Sequence, residues 1–230
     1  MAETSDPART TAGILMDIEA VLFRPEEPFI FTSGRASPVY VDCRRIISFP
    51  EARGRIMELG VELIERKIGR GAVDVVAGGE TAGIPFAAWI AERLAKPMIY
   101  VRKKPKGFGR NAQIEGTFED GARVLLVEDL ATDGGSKLNF VEAIRTAGGE
   151  IGHAFVIFHY GIFPEGIAAL AERGVALHAL ATWWDALAEA EERGYLSPEG
   201  LAEVRAFLED PEGWSAAHGG KTSAEIAAGG

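Results

Sequence analysis

A chain of 230 residues with 47% hydrophobic and 25% charged side chains can bury a substantial core and has the ordinary composition of a soluble globular protein. No apolar run reaches the roughly 18 residues of a membrane span, residues 1–10 lack the apolar centre of a signal peptide, and the single cysteine, Cys43, excludes an internal disulfide and fits a reducing, cytoplasmic setting. A formal net charge of −10 argues against a general nucleic-acid or anionic-membrane surface, which makes one basic stretch informative: Arg102, Lys103, Lys104, Lys106 and Arg110, five cations in nine residues with no acid among them.

In chain order, residues 1–12 read as disordered and residues 13–210 as a single domain. Ile14, Leu15, Ile18, Val21 and Leu22 recur at helical spacing. Residues 28–48 read as two short extended pieces around the Ser33-Gly34-Arg35 turn. Pro50 opens a helix with Ile56, Leu59, Leu63 and Ile64 on its core face. Five short apolar runs follow, at 73–77, 98–101, 124–127, 151–158 and 175–180, separated by helical patterns at 83–94, 138–148 and 164–173. Strands apolar on both faces that alternate with helices predict an α/β fold with a five-stranded, mostly parallel sheet flanked by helices. Helices at 183–193 and 198–209 close the domain, the second capped by Ser197, and residues 211–230 read as a flexible tail.

Ligands of open parallel sheets bind beyond the carboxyl ends of the strands. The run at 124–127 is followed by Glu128 and Asp129, by Leu130 and Ala131, and then by Thr132, Asp133, Gly134, Gly135 and Ser136 before a helix. Two glycines let backbone N–H groups close around an anion, and the helix N-terminus adds partial positive charge. Thr132 and Ser136 add short hydroxyl donors. The paired acids suit ribose hydroxyls and can face Mg2+ through water. A bare Gly-Gly would be a plain turn; acids, spacer and glycines in this order point to a ribose-phosphate cradle. The spacing matches neither a Walker loop nor G-x-G-x-x-G.

Residues 128–136 resemble the phosphoribosyl pyrophosphate (PRPP) motif of type I phosphoribosyltransferases, with Asp133 in place of a second Thr. Residues 31–42, FTSGRASPVYVD, resemble the N-terminal hood of the orotate phosphoribosyltransferases, with a hood segment of about 28–48, and residues 102–116, RKKPKGFGRNAQIEG, resemble that family's mobile catalytic loop. The resemblance implies the type I phosphoribosyltransferase fold with a small N-terminal hood, and Mg2+-dependent transfer of the phosphoribosyl group of PRPP to orotate, giving orotidine 5′-monophosphate and pyrophosphate in pyrimidine biosynthesis. It assigns PRPP to Glu128, Asp129, Thr132, Asp133, Gly134, Gly135, Ser136, Arg102, Lys103 and Lys106, and catalysis to Arg102, Lys103, Lys106 and Asp129. It assigns orotate to Ser33, Arg35, Tyr40, Thr132 and His159. Mg2+ is held mainly through PRPP and water, with Asp129 the candidate protein ligand. The implied assembly is a homodimer whose loop is shared between subunits, with no nucleic-acid or membrane partner.

Four departures bear on the acceptor base and the rate. Phe108 stands where the family loop often has His, and Thr32 where the hood often has Lys. The turn 78–83, GGETAG, resembles the family's pyrophosphate loop without the Lys of some members. The strand after the cradle lacks the Asp-Arg pair that holds the orotate carboxylate; residues 157–164 read IFHYGIFP, leaving His159, Tyr160 or Arg35 for that role. A transferase for another nucleobase, or a non-catalytic regulator binding PRPP or a nucleotide on the same fold, therefore stands as the alternative.

Overall fold

The computed structural model describes residues 6–107, 113–132 and 135–228. Its contacts divide the chain into two units, one of residues 47–180 and one combining the chain up to residue 46 with the chain from 181 onward.

The N-terminal part begins with helix α1 (Pro7–Asp17), seven residues before Ile14, where the apolar spacing begins. Asp6 caps it by accepting from Ala8 N at 3.0 Å, and Pro7 sits in the first turn. The expected disorder of residues 1–12 therefore fails from Pro7 on. Polar Arg9 is held by Glu189 at 2.9 Å and Glu192 at 2.6 Å. Strands β1 (Val21–Phe23), β2 (Phe29–Ile30), β3 (Ala36–Ser37) and β4 (Val39–Val41) follow. Antiparallel β2 and β3 form the hairpin expected of the hood segment, while β4 returns to pair with β1. Val21 and Leu22, read as the end of a helix, are thus strand residues.

The larger unit contains α2 (Pro50–Lys67), β5 (Val75–Gly79), α3 (Gly83–Leu94), β6 (Met98–Val101), β7 (Ile114–Glu115), β8 (Arg123–Ala131), α4 (Gly135–Thr146), β9 (Glu150–His159), α5 (Pro164–Ala171) and β10 (Ala176–Thr182). The sheet order is β10-β9-β8-β5-β6-β7, six strands rather than five. The addition is β7, a two-residue antiparallel edge strand too short to carry a period, which pairs Ile114 with Val101 and Glu115 with Tyr100. The β5–β6, β5–β8 and β8–β9 pairings are parallel. All of β5 is buried, because helices cover both faces, which is why its sequence is apolar without alternation. One face packs Val75, Ala77, Leu126 and Val124 against Phe140, Val141 and Ile144 of α4. Truncating a fully buried residue such as Leu126 to Ala would cost roughly 2–5 kcal/mol. At the other face Phe155 closes over Gly60 of α2, leaving no room there for a Cβ.

The chain ends in α6 (Trp183–Glu192), α7 (Pro198–Glu209), α8 (Pro211–Ala217) and α9 (Ser223–Ala228). Thr182 and Asp185 form a capping box on α6, and Ser197 caps α7 as its sequence indicates, accepting from Gly200 N at 3.1 Å. The expected flexible tail is instead two helices. Trp214 is 6% exposed and meets Phe207 edge-on, with 5.5 Å between ring centres. That apolar anchor, isolated among small and polar residues, holds α8 against α7.

Candidate active site

Strand β8 runs four residues further than its apolar core, to Ala131, so Glu128 and Asp129 lie within the strand rather than beyond its end. Glu128 pairs in register with Val156 and is 8% exposed. Its Oε1 occupies the space a Cβ would take on Gly79 and Gly83, the glycines flanking the turn after β5. Glycine is required at both by this close approach, which is the physical content of the GGETAG turn. Glu128 Oε1 has no hydrogen-bond partner among the described residues. Burial, reinforced by Asp129, raises this carboxyl to about 8 against the opposing pull of Lys137 and Lys103, so it is protonated at neutral pH. Asp129 points to the opposite face by strand alternation and is half-buried.

Of the cradle, Thr132 is described and half-buried, and Gly135 and Ser136 begin α4. Asp133 and Gly134 lie outside the described residues, as do Phe108 and Arg110 of the basic loop. Lys137, immediately after the cradle, is 3% exposed and donates to Leu130 O at 2.7 Å. Nothing in the motif singles it out, although a lysine in the first turn of a helix that packs on a sheet is a visible anomaly.

The basic segment leaves the sheet at β6 and re-enters at β7. Arg102 N donates to Gln113 O at 2.8 Å and Gln113 Nε2 donates to Arg102 O at 3.0 Å, closing its base. Lys103 N donates to Glu80 Oε2 at 2.8 Å, and Asn139 Nδ2 of α4 donates to Lys103 O at 2.9 Å. These two bonds tie the basic segment to the turn after β5 and to the helix after β8. Arg102 and Lys106 both pair with Glu115, the former at 3.4 Å. Lys106, then Arg102, hold the Glu115 carboxyl below its ordinary range. Arg102 Nε is buried with no hydrogen-bond partner among the described residues. Arg102, Lys103, Glu128 and the turn after β5 thus meet at the carboxyl ends of β5, β6 and β8. Glu80, Glu115 and Asn139, which hold the segment, were not singled out from the sequence.

His159 ends β9 beside Ala131 and is 6% exposed. Its Nε2 has no hydrogen-bond partner among the described residues. Burial first, then Lys137, lowers its pKa, so the ring is neutral. Tyr160 is buried and stacks on Phe163 with 6.2 Å between ring centres.

The hood residues belong to the other unit. Ser33 Oγ is exposed and accepts from Arg35 N at 3.4 Å. The Arg35 side chain is 13% exposed and faces Glu212 at 3.8 Å. Tyr40 is flanked by Phe29 and Phe31, at 5.5 and 6.2 Å between ring centres. Ser37, in the same hood segment, is fully buried and donates to Val39 O at 2.7 Å, so its hydroxyl is spent on the turn into β4.

Comparison with known proteins decides the family. Residues 50–161 match the phosphoribosyl transferase domain model. The orotate phosphoribosyltransferase of Dinoroseobacter shibae is 59% identical over 216 residues, covering 94% of this chain and 96% of the relative. This chain belongs to the orotate phosphoribosyltransferase family. The crystal structure of the family member from Aeropyrum pernix superposes with a TM-score of 0.68 at 34% identity, covering 81% of this chain and 99% of that one. Leishmania donovani UMP synthase superposes with a TM-score of 0.72 at 27% identity over 87% of this chain, which spans 42% of that longer protein. The family's α/β fold accounts for the flanked, mostly parallel sheet, and membership makes the chain a phosphoribosyl-transferring enzyme of pyrimidine biosynthesis.

Proposed function

We propose that the chain transfers the phosphoribosyl group of PRPP to orotate, releasing pyrophosphate and orotidine 5′-monophosphate, as a cytoplasmic homodimer. The observation that carries this reading is the tie across the carboxyl ends of the strands: Lys103 N on Glu80 Oε2, and Asn139 on Lys103 O. It fixes the root of a cation-rich loop beside the acidic strand end, the arrangement needed to hold a sugar by its hydroxyls and a diphosphate by its charge.

Asp129 accepts from the ribose hydroxyls. Thr132 and the start of α4 receive the 5′-phosphate, favoured by the partial positive charge of the helix end. Arg102, Lys103 and Lys106 bind the departing pyrophosphate, whose charge grows as the ribosyl carbon becomes cation-like, and Lys103 or Lys106 supplies its proton. For Lys106 this requires exchange of Glu115 for the substrate. Glu128, neutral and wedged at Gly79 and Gly83, places no second negative charge under the diphosphate. Ser33, Arg35 and Tyr40 of the hood receive orotate, with His159 as a neutral hydrogen-bonding group at the end of β9. No side chain is asked to act as a nucleophile, and positioning with electrostatics supplies the acceleration.

Mg2+ fits this donor set. No three His, Cys, Asp or Glu side chains gather into a metal site among the described residues; the ion would draw most of its oxygens from PRPP and water, and Asp129 would be the protein carboxylate that helps to hold it. When bound it offsets charge developing on pyrophosphate.

The test is pyrophosphate release on incubation with PRPP, Mg2+ and each nucleobase in turn. Release with orotate alone is expected. Release with another base and not orotate would reassign the acceptor, and release with none would refute catalysis. Lys106→Ala and Asp129→Asn should each lower turnover at least roughly tenfold, the scale of one charge-assisted contact.

A further inference from the structure

The C-terminal segment 210–222 holds the turn that carries Arg35. Phe31 N donates to Arg35 O at 2.9 Å and Gly34 N to Phe31 O at 2.8 Å, closing a tight loop in which Gly34 takes a φ of +91°. The next backbone group, Ala36 N, donates to Ser215 Oγ at 3.0 Å, and that hydroxyl donates onward to Lys221 O at 3.0 Å. Lys221 N then donates to Gly34 O at 2.9 Å. Ser215 is fully buried, so its hydroxyl is a committed link between two backbones.

Close packing reinforces these bonds. A Cβ on Gly220 would collide with Ala36 N, and one on Gly34 would meet Lys221 Cδ at 2.7 Å. Asp210 caps α8 by accepting from Gly213 N at 2.9 Å. Trp214 anchors the same helix, donating to Glu203 Oε2 at 2.9 Å beneath a stacked His218 ring at 3.6 Å. Glu212, on the first turn of α8, faces the Arg35 guanidinium. Backbone on both sides of Arg35 and the side chain itself are therefore held by one element.

We infer that Ser215 and Glu212 are positioning residues for the acceptor base: the C-terminal clamp sets the backbone and guanidinium of Arg35, and thereby the affinity for the anionic, carbonyl-rich ring. This rests on the reading of the hood as the orotate site. A Ser215→Ala change leaves Ala36 N without its acceptor and loosens the turn, while the residues assigned to PRPP lie in the other unit.

Steady-state kinetics on the full-length chain decide it, with orotate and PRPP varied separately and Arg35→Ala as reference. Ser215→Ala should raise KM for orotate roughly fivefold, about 1 kcal/mol at 1.36 kcal/mol per tenfold, with KM for PRPP within about twofold of wild type. A general loss of structure would move both constants together. If Ser215→Ala does not fold, Glu212→Gln decides, because that side chain is half-exposed; its KM for orotate should rise about twofold. A raised orotate KM in Arg35→Ala with none in Ser215→Ala and Glu212→Gln overturns the clamp and keeps the hood. An unchanged orotate KM in Arg35→Ala removes the hood reading and the clamp with it.

Discussion

Replacing Glu128 by Gln should stabilise the protein by an amount that grows with pH. The carboxyl is raised from 4.5 to about 8, first by burial and then by Asp129. Below pH 4.5 it is protonated in both folded and unfolded chains, and its contribution to stability is fully present. Between 4.5 and 8 the unfolded chain ionises it while the native state does not. Stability then falls by about 1.36 kcal/mol per pH unit until the folded value is passed. At pH 7 the loss is about 3 kcal/mol, and above pH 8 it levels near 5 kcal/mol. Gln keeps the shape and cannot ionise, so its stability curve lacks this decline. Urea unfolding of both proteins without substrate, from pH 5 to pH 8.5, gives the difference directly, because all other titrating groups are shared. The excess stability of Glu128→Gln should widen steadily over that range. A flat difference, or one that narrows with pH, would refute the protonated assignment and place an ionised carboxylate beside Lys137.

Two further outcomes concern the basic loop. Glu115→Gln removes the acid that pairs with Arg102 and Lys106; KM for PRPP should fall about twofold at low ionic strength and converge with wild type at high salt, since Lys106 is exposed and Glu115 only partly buried, and an unchanged KM at low salt would mean that Glu115 does not compete with substrate. Mixing Lys106→Ala with Asp129→Asn subunits should restore activity in about a quarter of sites if the loop serves the neighbouring subunit, because half of randomly formed dimers are mixed and each holds one intact site; absence of rescue would assign the loop to its own subunit.

The buried strands and their order of alternation were legible because a parallel sheet covered on both faces needs continuous apolar runs, and β5, β6, β8 and β9 supply them. Helix α3 begins and ends at the expected residues, Gly83 and Leu94. Short elements held by distant partners escaped. β7 exists because β6 offers it an edge, α1 starts early because Arg9 finds acids far along the chain, and α8 is ordered by one tryptophan. At the site, glycines and cations announced themselves by type and spacing. Glu80, Glu115 and Asn139 did not, since a single acid or amide acquires meaning only from what it faces.

An acidic chain that binds a polyanion must keep its own carboxylates from opposing the ligand. With a net charge of −10, this one deals with the acids near the strand ends individually. Glu80 accepts the backbone N–H of Lys103 and so anchors the cationic segment. Glu115 lies against Lys106 and Arg102, so its charge is spent on holding them. Glu128 is buried against Gly79 and Gly83 and carries a proton, so it adds bulk without charge under the turn. Asp129 differs: it is half-buried and lies on the opposite face of β8. The pair of adjacent acids is thus two groups in different settings, separated by the two-residue period of a strand and by burial, which keeps one of them neutral.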